Sequence, residues 1–174
     1  MEIRITNADG LDVAPDETGE ILVRLPYPAA VRWSADGTVA PVADAEGWLS
    51  TGDVGHIDTD GFLTVTDRLK DMIITGGENV YPVEVEKVLS GLPGVADAAV
   101  FSVPDPKWGE RVVAAIVPVT GTRFAPDATL ALCRQQLAHY KCPTRIFEVS
   151  ALPRNATGKV LRQDLRNSLV PNNT

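Results

Sequence analysis

Met72-Ile73-Ile74-Thr75-Gly76-Gly77-Glu78-Asn79-Val80-Tyr81-Pro82 is where this 174-residue chain changes character. Met72-Ile73-Ile74 is a short apolar strand that runs into the turn residues Thr75-Gly76-Gly77-Glu78-Asn79. Pro82 suits the first position of a helix, where a missing N–H costs nothing and φ is already set. Glu84 and Glu86 then fall near the positive end of the helix dipole. Val85, Val88 and Leu89 make one apolar face, and Gly91 and Pro93 stop the helix.

Downstream, strands are expected at 98–103 and 112–117, and a short one at 145–149. Asp127 is placed to cap a second helix whose Leu130, Cys133 and Leu137 share a face. A last helix carries Leu161, Leu165 and Leu169 at four-residue spacing. Upstream the pattern is different. Residues 2–6 alternate polar and apolar before the turn residues Asn7-Ala8-Asp9-Gly10, and 19–25 reads as a second strand. Residues 26–47, rich in Pro, Ala, Asp and Gly with no sustained period, read as a surface loop. Strands at 54–58 and 62–66 flank Thr59-Asp60-Gly61, a hairpin signal. The fold expected is α+β, an antiparallel β segment followed by a small α+β domain.

Composition closes several possibilities. A net charge of -7 argues against non-specific nucleic-acid binding, which needs a basic footprint. No apolar run approaches the ~20 residues of a membrane span, and the N-terminus lacks the pattern of a signal peptide. Two cysteines, Cys133 and Cys142, are too few for a disulfide framework or a zinc site, so no metal site is expected. The cytoplasm is the default location.

Pro153-Arg154-Asn155-Ala156-Thr157-Gly158-Lys159 is the stretch with chemical interest. A lysine one residue past a glycine, in a polar loop before a short helix, can be delivered into a cleft. Its ammonium would there stabilise negative charge developing on a carboxylate or phosphate. The same run also reads as an ordinary exposed turn with a solvated lysine.

Four segments together narrow the choice: Ser50-Thr51-Gly52-Asp53, Asp67-Arg68-Leu69-Lys70-Asp71, Gly76-Gly77-Glu78-Asn79-Val80-Tyr81-Pro82 with Glu84 and Glu86, and Asn155-x-Thr157-Gly158-Lys159. In this order and at these separations they resemble the adenylate-forming (AMP-binding) superfamily of acyl-CoA synthetases, peptide-synthetase adenylation domains and firefly-type luciferases. The wording Gly-Gly-Glu-Asn-Val-Tyr-Pro most resembles the fatty-acyl or aryl CoA ligase branch. The resemblance implies that residues 1–69 are the last β-subdomain of a large adenylating domain. Residues 70–174 would then be a mobile C-terminal lid domain of the acyl-CoA synthetase type.

It also implies a two-step reaction. A carboxylate attacks the α-phosphate of Mg-ATP to give acyl-AMP and pyrophosphate, and the thiol of CoA then displaces AMP. By similarity Asp53 binds the ribose hydroxyls, as suits an acceptor-only carboxylate, though a cap or turn aspartate would look the same. Arg68 contacts the same ribose or phosphate region; its other reading is a salt bridge with Asp67 or Asp71, and the two are compatible. Lys70 falls at the hinge, where a residue need only absorb a φ/ψ change, and Lys159 matches the adenylation lysine. Gly76 and Gly77 let the backbone approach the pantetheine tunnel unless they form a plain turn, and Glu78 sits beside that tunnel. Trp108 resembles a tryptophan that packs against CoA, with an anchored surface loop as its other reading. Tyr140 matches an aromatic position near the CoA nucleotide.

The departures carry expectations of their own. Cys142 and Thr144 stand where several CoA ligases have basic residues, which leaves the CoA phosphate to Lys141 or Arg145, or to a weaker site. His56 and His139 match nothing in the family and read as structural. The Ser/Thr/Gly-rich phosphate loop ending in Pro-Lys-Gly and the acyl-binding N-terminal domain are not in this sequence. The chain is therefore expected to be the C-terminal part of an AMP-forming acyl-CoA synthetase acting on a small carboxylic acid and CoA, inactive in isolation. Two alternatives remain at this point: an adenylation domain that loads a carrier protein, and a non-catalytic module that binds CoA or a nucleotide.

Overall fold

The computed structural model describes residues 1–27 and 31–170. The chain divides into two compact units, Met1–Lys70 and Asp71–Thr174.

The first unit is all β. Strands β1 (Glu2–Thr6), β2 (Gly19–Arg24), β5 (Trp48–Ile57) and β6 (Leu63–Arg68) form one sheet in the order β1-β2-β5-β6, each neighbour antiparallel. Ile5, Ile21, Trp48 and Val54 supply its buried apolar side chains. Trp48 also meets two guanidinium groups, with Arg4 5.1 Å and Arg24 4.7 Å from its ring centroid. Gly55 is a close-approach position, since a Cβ there would lie 2.2 Å from the Thr64 carbonyl oxygen. The hairpin expected at 59–61 joins β5 and β6, with Ile57 opposite Leu63 and Gly61 at φ 86°.

Two readings of this half change. The stretch 26–47 is more than a loop, because β3 (Val31–Trp33) and β4 (Val39–Pro41) pair antiparallel within it. Asp36-Gly37 turns that hairpin: Asp36 Oδ1 accepts the Thr38 N–H at 3.0 Å and Gly37 has φ 83°. Residues 28–30 of the stretch lie outside the described residues. The strand expected at 54–58 begins earlier, at Trp48. Gly52, at φ 68°, interrupts the alternation that would have revealed it.

The second unit opens with β7 (Ile73–Thr75) and β8 (Glu78–Val80), an antiparallel pair across Gly76-Gly77. Residues 78–80 therefore form a strand where a loop was expected. Gly76 and Gly77 have φ 61° and 88°, the positive values a tight two-residue hairpin turn demands. Helix α1 (Pro82–Ser90), strands β9 (Val95–Asp105) and β10 (Gly109–Pro118), helix α2 (Pro126–Gln136), strand β11 (Ile146–Glu148) and helix α3 (Arg162–Leu169) follow. β10 is central: β9 lies antiparallel on one side, β11 parallel on the other, and β7 joins at the pair Gly109 and Thr75.

Both faces of this sheet are covered. Val85 and Leu89 of α1 and Cys133 of α2 pack with Val100, Val112, Ala114 and Ile116. Leu165 of α3 packs with Ala99, Phe101, Val113 and Ala115 on the opposite face. Burial on both sides explains why β9 and β10 read as near-continuous apolar runs rather than alternating ones. Two helix details also change. Asp127 does not cap α2; Ala125 holds the cap position, and Asp127 sits in the first turn beside the positive end of the dipole. Leu137 and Leu161 flank α2 and α3 rather than belonging to them, although Leu137 still packs on the core. Among the described residues no helix is long and apolar enough to cross a membrane.

Candidate active site

In the first unit the fold brings Asp53 and Arg68 together as direct cross-strand partners on β5 and β6. Arg68 Nε is 2.9 Å from Asp53 Oδ1, an ion pair other than those expected with Asp67 or Asp71. Strand pairing outranks sequence proximity here, because opposite positions on adjacent strands bring side chains within reach. Asp53 is thus a strand residue rather than a cap or turn aspartate, and its N–H donates to Thr51 Oγ1 at 3.0 Å.

In the second unit, Gly76, Glu78, Trp108 and Tyr140 line one cavity of about 230 Å³. Gly77 is not part of that lining, and a Cβ on it would meet open space. The Trp108 turn is strongly held. Asp105 Oδ1 accepts the N–H groups of Lys107 and Trp108, both at 2.9 Å, and Asp105 also pairs with Arg111. The Trp108 N–H first, then the Lys107 N–H and the Arg111 guanidinium, hold the Asp105 carboxyl below the usual carboxylate range. The Gly76 N–H donates to the Trp108 carbonyl at 2.9 Å, which fixes the β7–β8 turn against this loop. Lys107 lies over the exposed side of the indole, 4.6 Å from its centroid.

Four further residues of that cavity are Arg111, His139, Cys142 and Thr144. His139, expected to be structural, belongs to the cavity wall. Its place beside Tyr140, in a single 3₁₀ turn at His139–Lys141, was the available signal. Lys141 is not free to meet a phosphate, because its ammonium donates to both Glu84 carboxylate oxygens, at 2.7 and 2.8 Å. Arg145 packs its guanidinium over Phe147, 4.4 Å from the ring centroid. Both cysteines are buried and unoxidised. Burial pushes the Cys133 thiol up to about 11 and raises Cys142 as well.

Lys159 lies on the loop before α3. Asn155 Oδ1 accepts the N–H groups of Thr157 and Lys159, at 3.0 and 2.9 Å, and the Asn155 N–H donates to the Lys159 carbonyl at 2.9 Å. Gly158 turns this loop at φ 84°, and Arg154 braces it by donating to the Gly158 carbonyl at 2.8 Å. The backbone is thus fixed while the lysine side chain remains 47% exposed. Its ammonium is 3.2 Å from Asp71 Oδ2. Asp71 was within reach of sequence reasoning as a member of the Asp67–Asp71 motif, but nothing in the sequence placed it beside residue 159. Among the described residues no cluster of His, Cys, Asp and Glu side chains is arranged to hold a metal ion.

Residues 84–159 match the family model described as the AMP-binding enzyme C-terminal domain. Feruloyl-CoA synthase from Amycolatopsis sp. is 44% identical over 165 residues, 95% of this chain and 33% of that protein. Indoleacetate–CoA ligase from Aromatoleum aromaticum is 43% identical over 164 residues, 94% of this chain and 32% of that one. In structure, the chain is similar to ATP-bound MatB from Rhodopseudomonas palustris, with a TM-score of 0.84 and 34% identity, covering 96% of this chain and 33% of that one. Residues 84–159 thus carry the AMP-binding enzyme C-terminal domain, and the chain spans about a third of the length of the curated relatives it matches.

Proposed function

We propose that this chain is the C-terminal part of an AMP-forming acid–CoA ligase, which converts a carboxylic acid, ATP and CoA into acyl-CoA, AMP and pyrophosphate. The observation that carries this reading is Lys159: its backbone is fixed by Asn155, while its ammonium stays half-exposed at the tip of a glycine turn. An ammonium so presented meets negative charge that develops during acyl-AMP formation. Asp53, held by Arg68 on adjacent strands, offers acceptor oxygens to the ribose hydroxyls. Mg would accompany the ATP phosphates.

The cavity lined by Trp108 and Tyr140 offers aromatic faces to a ring or to the pantetheine portion of CoA. Gly76 and Glu78 border this path, whereas Gly77 serves the hairpin turn. Residues 1–69 are assigned to the last β-subdomain of the large adenylating domain and residues 70–174 to its lid, with Lys70 as the hinge. The division of the chain between Lys70 and Asp71 supports that assignment.

The test is ATP–pyrophosphate exchange by the complete polypeptide across a panel of carboxylic acids, with Lys159→Ala as comparison. Loss of such a donor lowers the adenylation rate by ~10²–10³, while thioester formation from supplied acyl-AMP is retained. Equal loss of both half-reactions would remove Lys159 from the first step. The 174-residue chain alone should show no exchange.

A further inference from the structure

The Lys159 ammonium shares its partner. Asp71 Oδ2, 3.2 Å away, is also 3.5 Å from Arg162 Nη1. Arg162 is itself held on two more sides, with Nε donating to the Val100 carbonyl at 2.9 Å and Nη2 to Glu86 Oε1 at 2.8 Å. Glu86 Oε1 also accepts the Val100 N–H at 2.8 Å, which anchors this end of the network to β9. Exposure falls along the series: 47% for the Lys159 side chain, then 19% for Asp71 and 17% for Arg162.

We propose, building on the adenylation role of Lys159, that Asp71 is the resting partner of this lysine and that Arg162 is the positioning residue that lets the lysine leave. Withdrawing one cation from a largely buried carboxylate is costly when nothing replaces it. Here Arg162 stays on Asp71 after Lys159 departs, so the carboxylate keeps a charged partner. Breaking the half-exposed Lys159 contact is then a cheap step, comparable to breaking a surface ion pair. A substrate carboxylate or phosphate offers the same acceptor chemistry as Asp71, and the lysine exchanges one anionic oxygen for another. No proton moves and no covalent bond changes in this exchange. Asp71, Arg162 and Lys159 all belong to the unit Asp71–Thr174, so the pair is internal to it.

The relation is tested on this chain by competitive labelling with limiting acetic anhydride, reading Lys159 modification against Lys87 by peptide mass spectrometry. Asp71→Asn frees the amine and should raise the ratio about two- to fivefold, the range of an exposed ion pair. Arg162→Gln leaves Lys159 as the remaining cation on Asp71 and should lower it by a similar factor. The double variant should behave as Asp71→Asn. Circular dichroism checks the fold; if Arg162→Gln does not fold, Arg162→Lys replaces it, and its ratio should fall between wild type and Asp71→Asn only if the proposal is wrong. An unchanged ratio in Asp71→Asn, or a raised ratio in Arg162→Gln, overturns the proposal. In the complete enzyme, kcat/KM for pyrophosphate exchange should rise in Asp71→Asn and fall in Arg162→Gln, both differences vanishing in the Lys159→Ala background. If labelling follows Asp71 while exchange ignores Lys159, the adenylation reading fails and the proposal with it; labelling that ignores Asp71 overturns the proposal alone.

Discussion

Gly76 and Trp108 are in contact through a position that only glycine can fill: a Cβ on Gly76 would lie 2.7 Å from Trp108 Cε3. The Gly76 N–H simultaneously donates to the Trp108 carbonyl at 2.9 Å. The glycine that shapes the β7–β8 turn therefore also sets where the indole stands at the mouth of the cavity.

Gly76→Ala should displace the indole as well as strain the turn, because φ is 61° at this position. Gly77→Ala is the matched comparison, with φ 88° but open space around its Cβ. Each should lose about 1–2 kcal/mol from left-handed strain. Fluorotryptophan NMR separates them: the Trp108 resonance shifts in Gly76→Ala and holds in Gly77→Ala. An unmoved Trp108 resonance in both would sink the positioning role of Gly76.

Asp53→Asn separates ligand binding from structure. The Asp53–Arg68 pair joins β5 to the edge strand β6 and is partly solvated, with side chains 29% and 53% exposed. Its loss should change unfolding free energy by less than about 1 kcal/mol. AMP affinity of the complete enzyme should nevertheless drop about tenfold, since hydrogen bonds to a charged acceptor are lost. A titration showing AMP binding intact would remove Asp53 from the nucleotide site.

Cys133 gives a pH signature. Burial disfavours its thiolate, so the folded chain keeps the proton up to about 11, against an ordinary value of 9.0. A group whose folded pKa is raised stabilises fully below its unfolded pKa, and that stability drains away as pH climbs toward the folded value. The window is therefore pH 9 to 11, with a loss of at most about 2–3 kcal/mol. Urea unfolding at pH 8 and pH 10.5 should show a steeper decline in the wild type than in Cys133→Ala. Parallel declines would mean that this thiol ionises as readily in the fold as outside it.

Hydrogen exchange should rank the two units. In Asp71–Thr174 the central strands β9 and β10 are covered on both faces, and their amides should exchange at the global unfolding rate. In Met1–Lys70, Tyr27, Phe62 and Val65 are 70%, 70% and 58% exposed, so less apolar burial opposes local opening. Protection in β2 and β5 equal to that in β10 would contradict this ranking.

Local chemistry was enough to read much of this molecule from its sequence. Pro82 with Val85 and Leu89 declared α1, Asp60-Gly61 declared the β5–β6 turn, and the apolar runs at 98–103 and 112–117 declared strands. Each signal acts over a few residues, through a fixed φ, a period or a cap. The spacing of the four motifs identified the family for the same reason, since it is written along the chain. Only the tertiary structure decided the partners: Arg68 on Asp53, Lys141 on Glu84, Trp108 on Gly76, and Lys159 sharing Asp71 with Arg162. These contacts join residues 15 to 91 positions apart, and a charge in the sequence carries no address for its counter-charge. Strand register and the stacking of α1, α2 and α3 on the sheet supply that address, because they fix which side chains share a face and come within reach.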